Sequence, residues 1–217
     1  MINRTLTRNL RECWVFSMTL MFVFSLSVLA QESPPQVELQ VPESDRTVPY
    51  VPTPPEVVEK MLDLAKVGPS DVVYDLGSGD GRIVIMAAEK FGAHSIGVEL
   101  DEERFKESSA HIAKLGLENR AKIVRGNLFE TDLHPATVVT IYLLPSVNER
   151  LRPRLEKELR PGARVVSHNF LVEGWKAEQV VKVSPKDSME HTIYLYSLPQ
   201  AQAAHGEEKS QGSEQEK

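Results

Sequence analysis

Cysteine is almost absent from this 217-residue chain, and the single one, Cys13, lies in a hydrophobic run near the N-terminus. A disulfide, a cysteine nucleophile and a zinc–cysteine site are therefore excluded from everything downstream. The six histidines, at 94, 111, 134, 168, 191 and 205, include no His-x-x-x-His pair, so no metal centre is expected. The Gly-x-Ser-x-Gly elbow of a hydrolase is missing as well. Positive charge is in deficit: 25 Lys and Arg stand against 31 Asp and Glu, for a formal charge of −6. That balance opposes a general grip on nucleic-acid phosphates, which needs a positive field, and no nucleic-acid partner is expected.

The two ends differ from the middle. Arg4, Arg8 and Arg11 precede a run from Cys13 to Gln31 rich in Phe, Leu, Met and Val, which closes on the small-residue site Val28-Leu29-Ala30. This pattern reads as a cleaved export signal over 1–30 that carries the domain outward to the periplasm. The alternative is an uncleaved anchor, since a span needs roughly 20 apolar residues, with the domain membrane-associated and facing the cytoplasm. Residues 31–49 are rich in Pro and Glu and read as a solvated linker, and 200–217 as a disordered polar tail. One domain of one core is left, over 50–199.

Within it, strands and helices alternate. Thr53-Pro54-Pro55-Glu56 has the form of a capping box ahead of Val57, Val58, Met61, Leu62 and Ala65, which share one helical face. Strands are expected at 72–76, 95–100, 121–124, 137–143 and 163–167. Between them lie helices near 83–91, 102–115 and 146–159, the second with Phe105, Ile112 and Leu115 inward. The third should open on a Ser146/Glu149 capping box and be kinked or split by Pro153. Two further strands, 177–183 and 192–198, leave no room for a helix between them. The expected fold is an α/β, doubly wound, mostly parallel seven-stranded sheet closed by a C-terminal antiparallel hairpin.

The richest signal is Asp75-Leu76-Gly77-Ser78-Gly79-Asp80-Gly81-Arg82. Gly77, Gly79 and Gly81 let the backbone turn tightly and approach a ligand at the carboxyl end of a strand, where open sheets bind them. A dinucleotide loop would place its third glycine at 82, where Arg82 stands, and Asp75 would repel a pyrophosphate but pair with an ammonium group or a bound water. Glu99 ends the second strand, the place from which a carboxylate accepts ribose hydroxyls. The two acids bracket a nucleoside with a zwitterionic tail, which describes S-adenosylmethionine. Ser78 belongs to the same loop, Asn127 is placed to offer its amide to an adenine edge or to cap a turn, and Leu128 to cover the ring.

This motif resembles that of class I S-adenosylmethionine-dependent methyltransferases. More narrowly, Tyr50-Val51-Pro52-Thr53, the run Asp75 to Ile85, Gly97-Val98-Glu99-Leu100, and Glu156-Lys157-Glu158-Leu159 through Ala163 to Ser167 resemble the small membrane-anchored protein-lysine methyltransferases that modify mitochondrial inner-membrane proteins. The resemblance implies a Rossmann-like fold and a lysine acceptor. It also implies a pocket built from Asp75, Gly77, Gly79 and Glu99, with Tyr50 to Thr53 closing over the reactive end. Two residues are candidates for the catalytic part: Tyr142 orients an acceptor or fills the sheet core, and Thr53 orients it or caps a helix. Phe170 and Trp175 line an acceptor cleft or make a loop-to-core contact. A small-molecule methyltransferase and a non-catalytic S-adenosylmethionine-binding module are the competing functions, with a nucleotide-dependent oxidoreductase behind them.

Overall fold

The structure is a computed structural model that describes residues 50–186 and 189–198. The hydrophobic run, the linker and the polar tail lie outside the described residues, as do the readings made of them. Among the described residues no helix is long and apolar enough to cross a membrane.

Helix α1 (Pro55–Leu64) precedes β1 (Val72–Leu76), which is followed by α2 (Arg82–Glu89), β2 (His94–Glu99), α3 (Glu102–Lys114) and β3 (Ala121–Arg125). The second half runs β4 (Val138–Ile141), α4 (Pro145–Glu158), β5 (Arg164–His168), β6 (Gln179–Val183) and β7 (His191–Ser197). The seven strands form one sheet in the order β3-β2-β1-β4-β5-β7-β6. The five strands β1 to β5 pair in parallel, and β7 runs antiparallel to both β5 and β6. This is the expected architecture, with strand ends shifted by a few residues.

Side chains alternate across the strands and split the core in two. Val73, Val138, Val166, Ile193 and Leu195 pack with Val57, Val58, Met61 and Leu62 of α1 and Ile83 and Ala87 of α2. On the other face Tyr74, Leu76, Val139, Ile141 and Val165 meet Leu151 and Leu155 of α4. Sequestering each such side chain contributes roughly 1.5–3 kcal/mol, so two covered faces hold the sheet. Its strand order reverses between β1 and β4, which opens a crevice at their carboxyl ends.

Several local expectations are corrected. Helix α1 opens with Pro54 as its cap and no side-chain cap hydrogen bond. Thr53 lies one position too early to cap, and its hydroxyl bonds elsewhere. Helix α4 likewise starts at Pro145 with Leu144 as its cap, which leaves Ser146 inside the first turn and no capping box; a proline there has no amide hydrogen to satisfy. The helix runs through Pro153 without splitting, held by Leu151 and Leu155, both fully buried on either side of it. Leu115, expected inward, is exposed because α3 ends at Lys114 before it.

Candidate active site

The glycine loop leaves β1 at the crevice. Gly77, Gly79 and Gly81 all have left-handed backbones, with φ of +81°, +55° and +77°, which explains three glycines where an L side chain would be strained. The amides of Gly77 and Ser78 both donate to the carbonyl of Val98 on the neighbouring strand, at 2.9 and 3.0 Å. Ser78 also packs on Gly97: a β-carbon there would lie 2.5 Å from Ser78 Oγ. The loop thus rests flat on β2 because Gly97 has no side chain, a role the sequence did not reveal.

Glu99 closes the far side. Its Oε2 accepts the amide hydrogen of Gly79 at 2.7 Å and its Oε1 that of Asp101 at 2.9 Å. Two backbone donors hold a buried carboxylate in one orientation, and each oxygen keeps a further lone pair. Asp101 in turn caps α3, accepting from the amide of Arg104 at 2.9 Å.

Asp75 is buried beneath the loop and accepts from Thr140 Oγ1 at 2.7 Å. Burial pushes its carboxyl up to about 7; the Thr140 hydrogen bond works against this, and the charges of Glu99 and Asp80 add to it. A carboxyl in that state ionises readily when a cation arrives beside it.

The segment before α1 folds over the loop. The Tyr50 ring lies so close to Gly79 that a β-carbon on the glycine would sit 2.3 Å from Tyr50 Cε2. The Arg104 guanidinium stands 4.7 Å from the centre of that ring. Arg82, read in the sequence only as a mismatch to the dinucleotide pattern, acts as a strut. Its Nε bonds both oxygens of Asp80, at 2.9 and 3.0 Å, while its Nη1 donates to the carbonyl of Thr53 at 2.8 Å. Although burial raises the Asp80 carboxyl, the Arg82 hydrogen bonds and charge bring it below its ordinary value.

Beside the loop, at the ends of β4 and β5, Tyr142 packs on His168 with ring centres 3.9 Å apart and on Phe170 at 6.2 Å. Thr53 Oγ1 lies 3.1 Å from His168 Nδ1. The structure therefore gathers Thr53, Tyr142 and Phe170 with the unforeseen His168. Trp175 is buried instead, edge-on to Tyr196 and donating to Glu156 at 2.8 Å, so of its two readings the core contact is the one observed. Asn127 follows β3, and its Oδ1 accepts from the Phe129 amide at 3.0 Å, forming its own turn; Leu128 is half-buried against the core.

A glycine loop after β1, an acid at the tip of β2 and a sheet reversing between β1 and β4 define a class I S-adenosylmethionine-dependent methyltransferase. The ANTKMT methyltransferase domain matches residues 75–179. A protein-lysine N-methyltransferase of Saccharolobus islandicus is 56% identical over 152 residues, covering 70% of this chain and 94% of its own. The adenine nucleotide translocase lysine N-methyltransferase of Mus musculus is 36% identical over 134 residues, a match that covers 62% of this chain and 58% of its own. A solved RNA methyltransferase from Salinibacter ruber, in complex with S-adenosyl-L-homocysteine, is 46% identical with a TM-score of 0.64 and covers 69% of this chain and 94% of that one. The chain belongs to the family of class I lysine methyltransferases that includes the enzymes named for adenine nucleotide translocase and for ATP synthase. It is an enzyme, and S-adenosylmethionine is its cofactor.

The site fits that group: the glycine backbones leave an approach without β-carbons, and Glu99 presents an oriented acceptor pair. The relatives overturn one expectation. They are intracellular enzymes rather than secreted ones, so the reading of an exported, periplasmic domain is withdrawn. The cytoplasmic supply of the donor accords with this correction.

Proposed function

We propose that residues 50–199 form a protein-lysine methyltransferase domain in which Asp75, Gly77, Ser78, Gly79, Gly81, Glu99, Asn127 and Leu128 hold the donor and Tyr142 and Thr53 orient the acceptor amine. The observation that carries this reading is the bond from the Gly79 amide to Glu99 Oε2 at 2.7 Å, which aims a carboxylate across the glycine loop at the height of a ribose. Asp75 lies on the other side of the loop and supplies negative charge toward an ammonium tail. When bound, S-adenosylmethionine supplies a methyl group already activated on sulfur.

The chain's own task is then to hold a neutral amine at near-attack distance and to exclude water. A lysine ammonium, with an ordinary pKa near ~10.4, must first lose its proton. Tyr142, half-buried at the end of β4, offers an aromatic face and a phenol for the amine and its methylene stem. The proteins for which the relatives are named, adenine nucleotide translocase and ATP synthase, support a lysine on another protein as the acceptor class. The formal charge of −6 speaks against RNA.

The test pairs titration calorimetry with transfer assays on the full-length chain. Binding of S-adenosylmethionine in preference to NAD is expected, as is label transfer from the methyl donor to poly-L-lysine but not to its fully trimethylated form or to RNA. Transfer to RNA alone would overturn the lysine reading.

A further inference from the structure

His168 is fully buried, yet both of its ring nitrogens are engaged: Nδ1 with Thr53 Oγ1 at 3.1 Å and Nε2 with His191 Nδ1 at 2.8 Å. His191, first residue of β7, is buried too. Two histidines in direct contact in a core are an expensive way to fill space, since each buried polar atom must find a partner. They stand at the carboxyl end of β5, packed on Tyr142, and Thr53 belongs to the segment that lays Tyr50 over the glycine loop.

The direction of these bonds follows from Asn169. Its backbone is left-handed, with φ of 61°, a strained conformation that asparagine tolerates better than most residues. Its Oδ1 accepts the amide hydrogen of Thr192 at 2.9 Å, which fixes the orientation of the side-chain amide. Its Nδ2 therefore faces His191 Nδ1, at 3.5 Å, and the Tyr142 hydroxyl, at 3.4 Å. An amide nitrogen only donates, so His191 Nδ1 is an acceptor. The proton between the rings then sits on His168 Nε2, which leaves His168 Nδ1 to accept from the Thr53 hydroxyl. Every donor points the same way, from Thr53 through His168 to His191, and the lone pairs of Thr53 Oγ1 remain open.

We propose that Thr53, His168 and His191 form a proton path that neutralises the acceptor lysine before methyl transfer, an inference that rests on the lysine reading above. The ammonium gives one proton to Thr53 Oγ1 while the Thr53 hydroxyl proton moves to His168 Nδ1. The proton on His168 Nε2 moves to His191 Nδ1. The amine gains its lone pair, Thr53 and His168 end neutral, and the positive charge comes to rest on the His191 imidazolium. Thr53 is the group that meets the amine, while His168 and His191 act through it. Burial, with the neighbouring His191 charge, brings the His168 pKa down to about 3, which keeps its ring neutral and able to relay. The titratable groups facing it are His191 from β7 and Tyr142 from the end of β4.

The experiment measures kcat on poly-L-lysine from pH 7 to 10 for the full-length protein and for Thr53→Val, Thr53→Ser and His168→Gln, with donor affinity measured on each. At pH 7 the Val and Gln variants are expected to lose about 100-fold in kcat at unchanged donor affinity. They should recover toward the parent by about pH 10, where lysine sheds its own proton, and the Ser variant should keep the parent profile. A loss that is uniform across pH would overturn the path and leave His168 a packing residue. A second measurement stands apart from activity: nitrogen-15 spectra of histidine-labelled protein should show Thr53→Val shifting the His191 Nδ1 signal through His168. An unmoved His191 signal would overturn the path even if poly-L-lysine were no substrate, whereas a shifted signal without lysine transfer would overturn only the choice of acceptor.

Discussion

Gly79 and Glu99 are joined across the crevice by one short hydrogen bond, backbone amide to carboxylate, at 2.7 Å. The bond ties the glycine loop to the tip of β2. Replacing Glu99 by alanine removes the ribose acceptors together with this tie, while the sheet beneath stays paired. Hydrogen bonds to a charged group contribute roughly 1.5–3 kcal/mol. Calorimetry is expected to show S-adenosylmethionine binding weakened by about one to two orders of magnitude, with the circular dichroism spectrum retained. Unchanged affinity would place the ribose elsewhere.

Asp75 makes the free protein pH-sensitive. Its carboxyl is lifted from 3.8 to about 7, chiefly by burial, so the folded chain holds this proton more tightly than the unfolded chain. Its contribution to stability is therefore fully present below about pH 4 and lost as pH rises through 7. The isosteric Asp75→Asn variant should thus melt at a higher temperature than the parent at pH 8 without donor, and the gap should shrink toward pH 5. Donor binding should show the opposite trend in the parent, tightening from pH 6 to 8 as the carboxylate forms, with a flat profile in the variant.

Gly97 is the floor of the loop. An added β-carbon would meet Ser78 Oγ at 2.5 Å and Ile123 Cδ1 at 2.7 Å. Overpacking of this kind costs about 1–3 kcal/mol, and here the element that must yield is the loop itself. Gly97→Ala is expected to lower the melting temperature by several degrees and to weaken donor binding further than stability alone explains. A full-affinity Gly97→Ala protein would show that the loop has room to shift.

Arg82 joins the loop to the segment before α1 through Asp80 and the Thr53 carbonyl. Arg82→Met keeps the length of the side chain and removes the strut. The expected outcome is faster hydrogen exchange over residues 50–54, a reduced kcat, and little change in the exchange of β1 and β4. Unaltered exchange at 50–54 would mean that the Tyr50 packing on Gly79 suffices to hold the segment.

The fold and the cofactor loop were legible in the chain alone, because both are written in short-range patterns. Alternating strand and helix periodicities marked all seven strands, and glycines two residues apart after a β-branched strand identified a turn open to a ligand. Helix boundaries were less legible: Thr53 and Ser146 both have the chemistry of a cap, but a proline at the first helical position moved each start by a residue. Gly97 read as an ordinary strand residue, since nothing local says that Ser78 will lie on it. Arg82 read as a mismatch, since its partner Thr53 is far away along the chain. His168 and His191 read as scattered histidines without metal spacing, and they meet only because β7 returns antiparallel beside β5 and sets Ile193 opposite His168. Local periodicity and turn chemistry act between near neighbours and so are visible in the chain. The contacts that orient Glu99, anchor Thr53 and pair the two histidines join distant segments, and they exist only once the sheet has closed with its strand order reversing at β1 and β4.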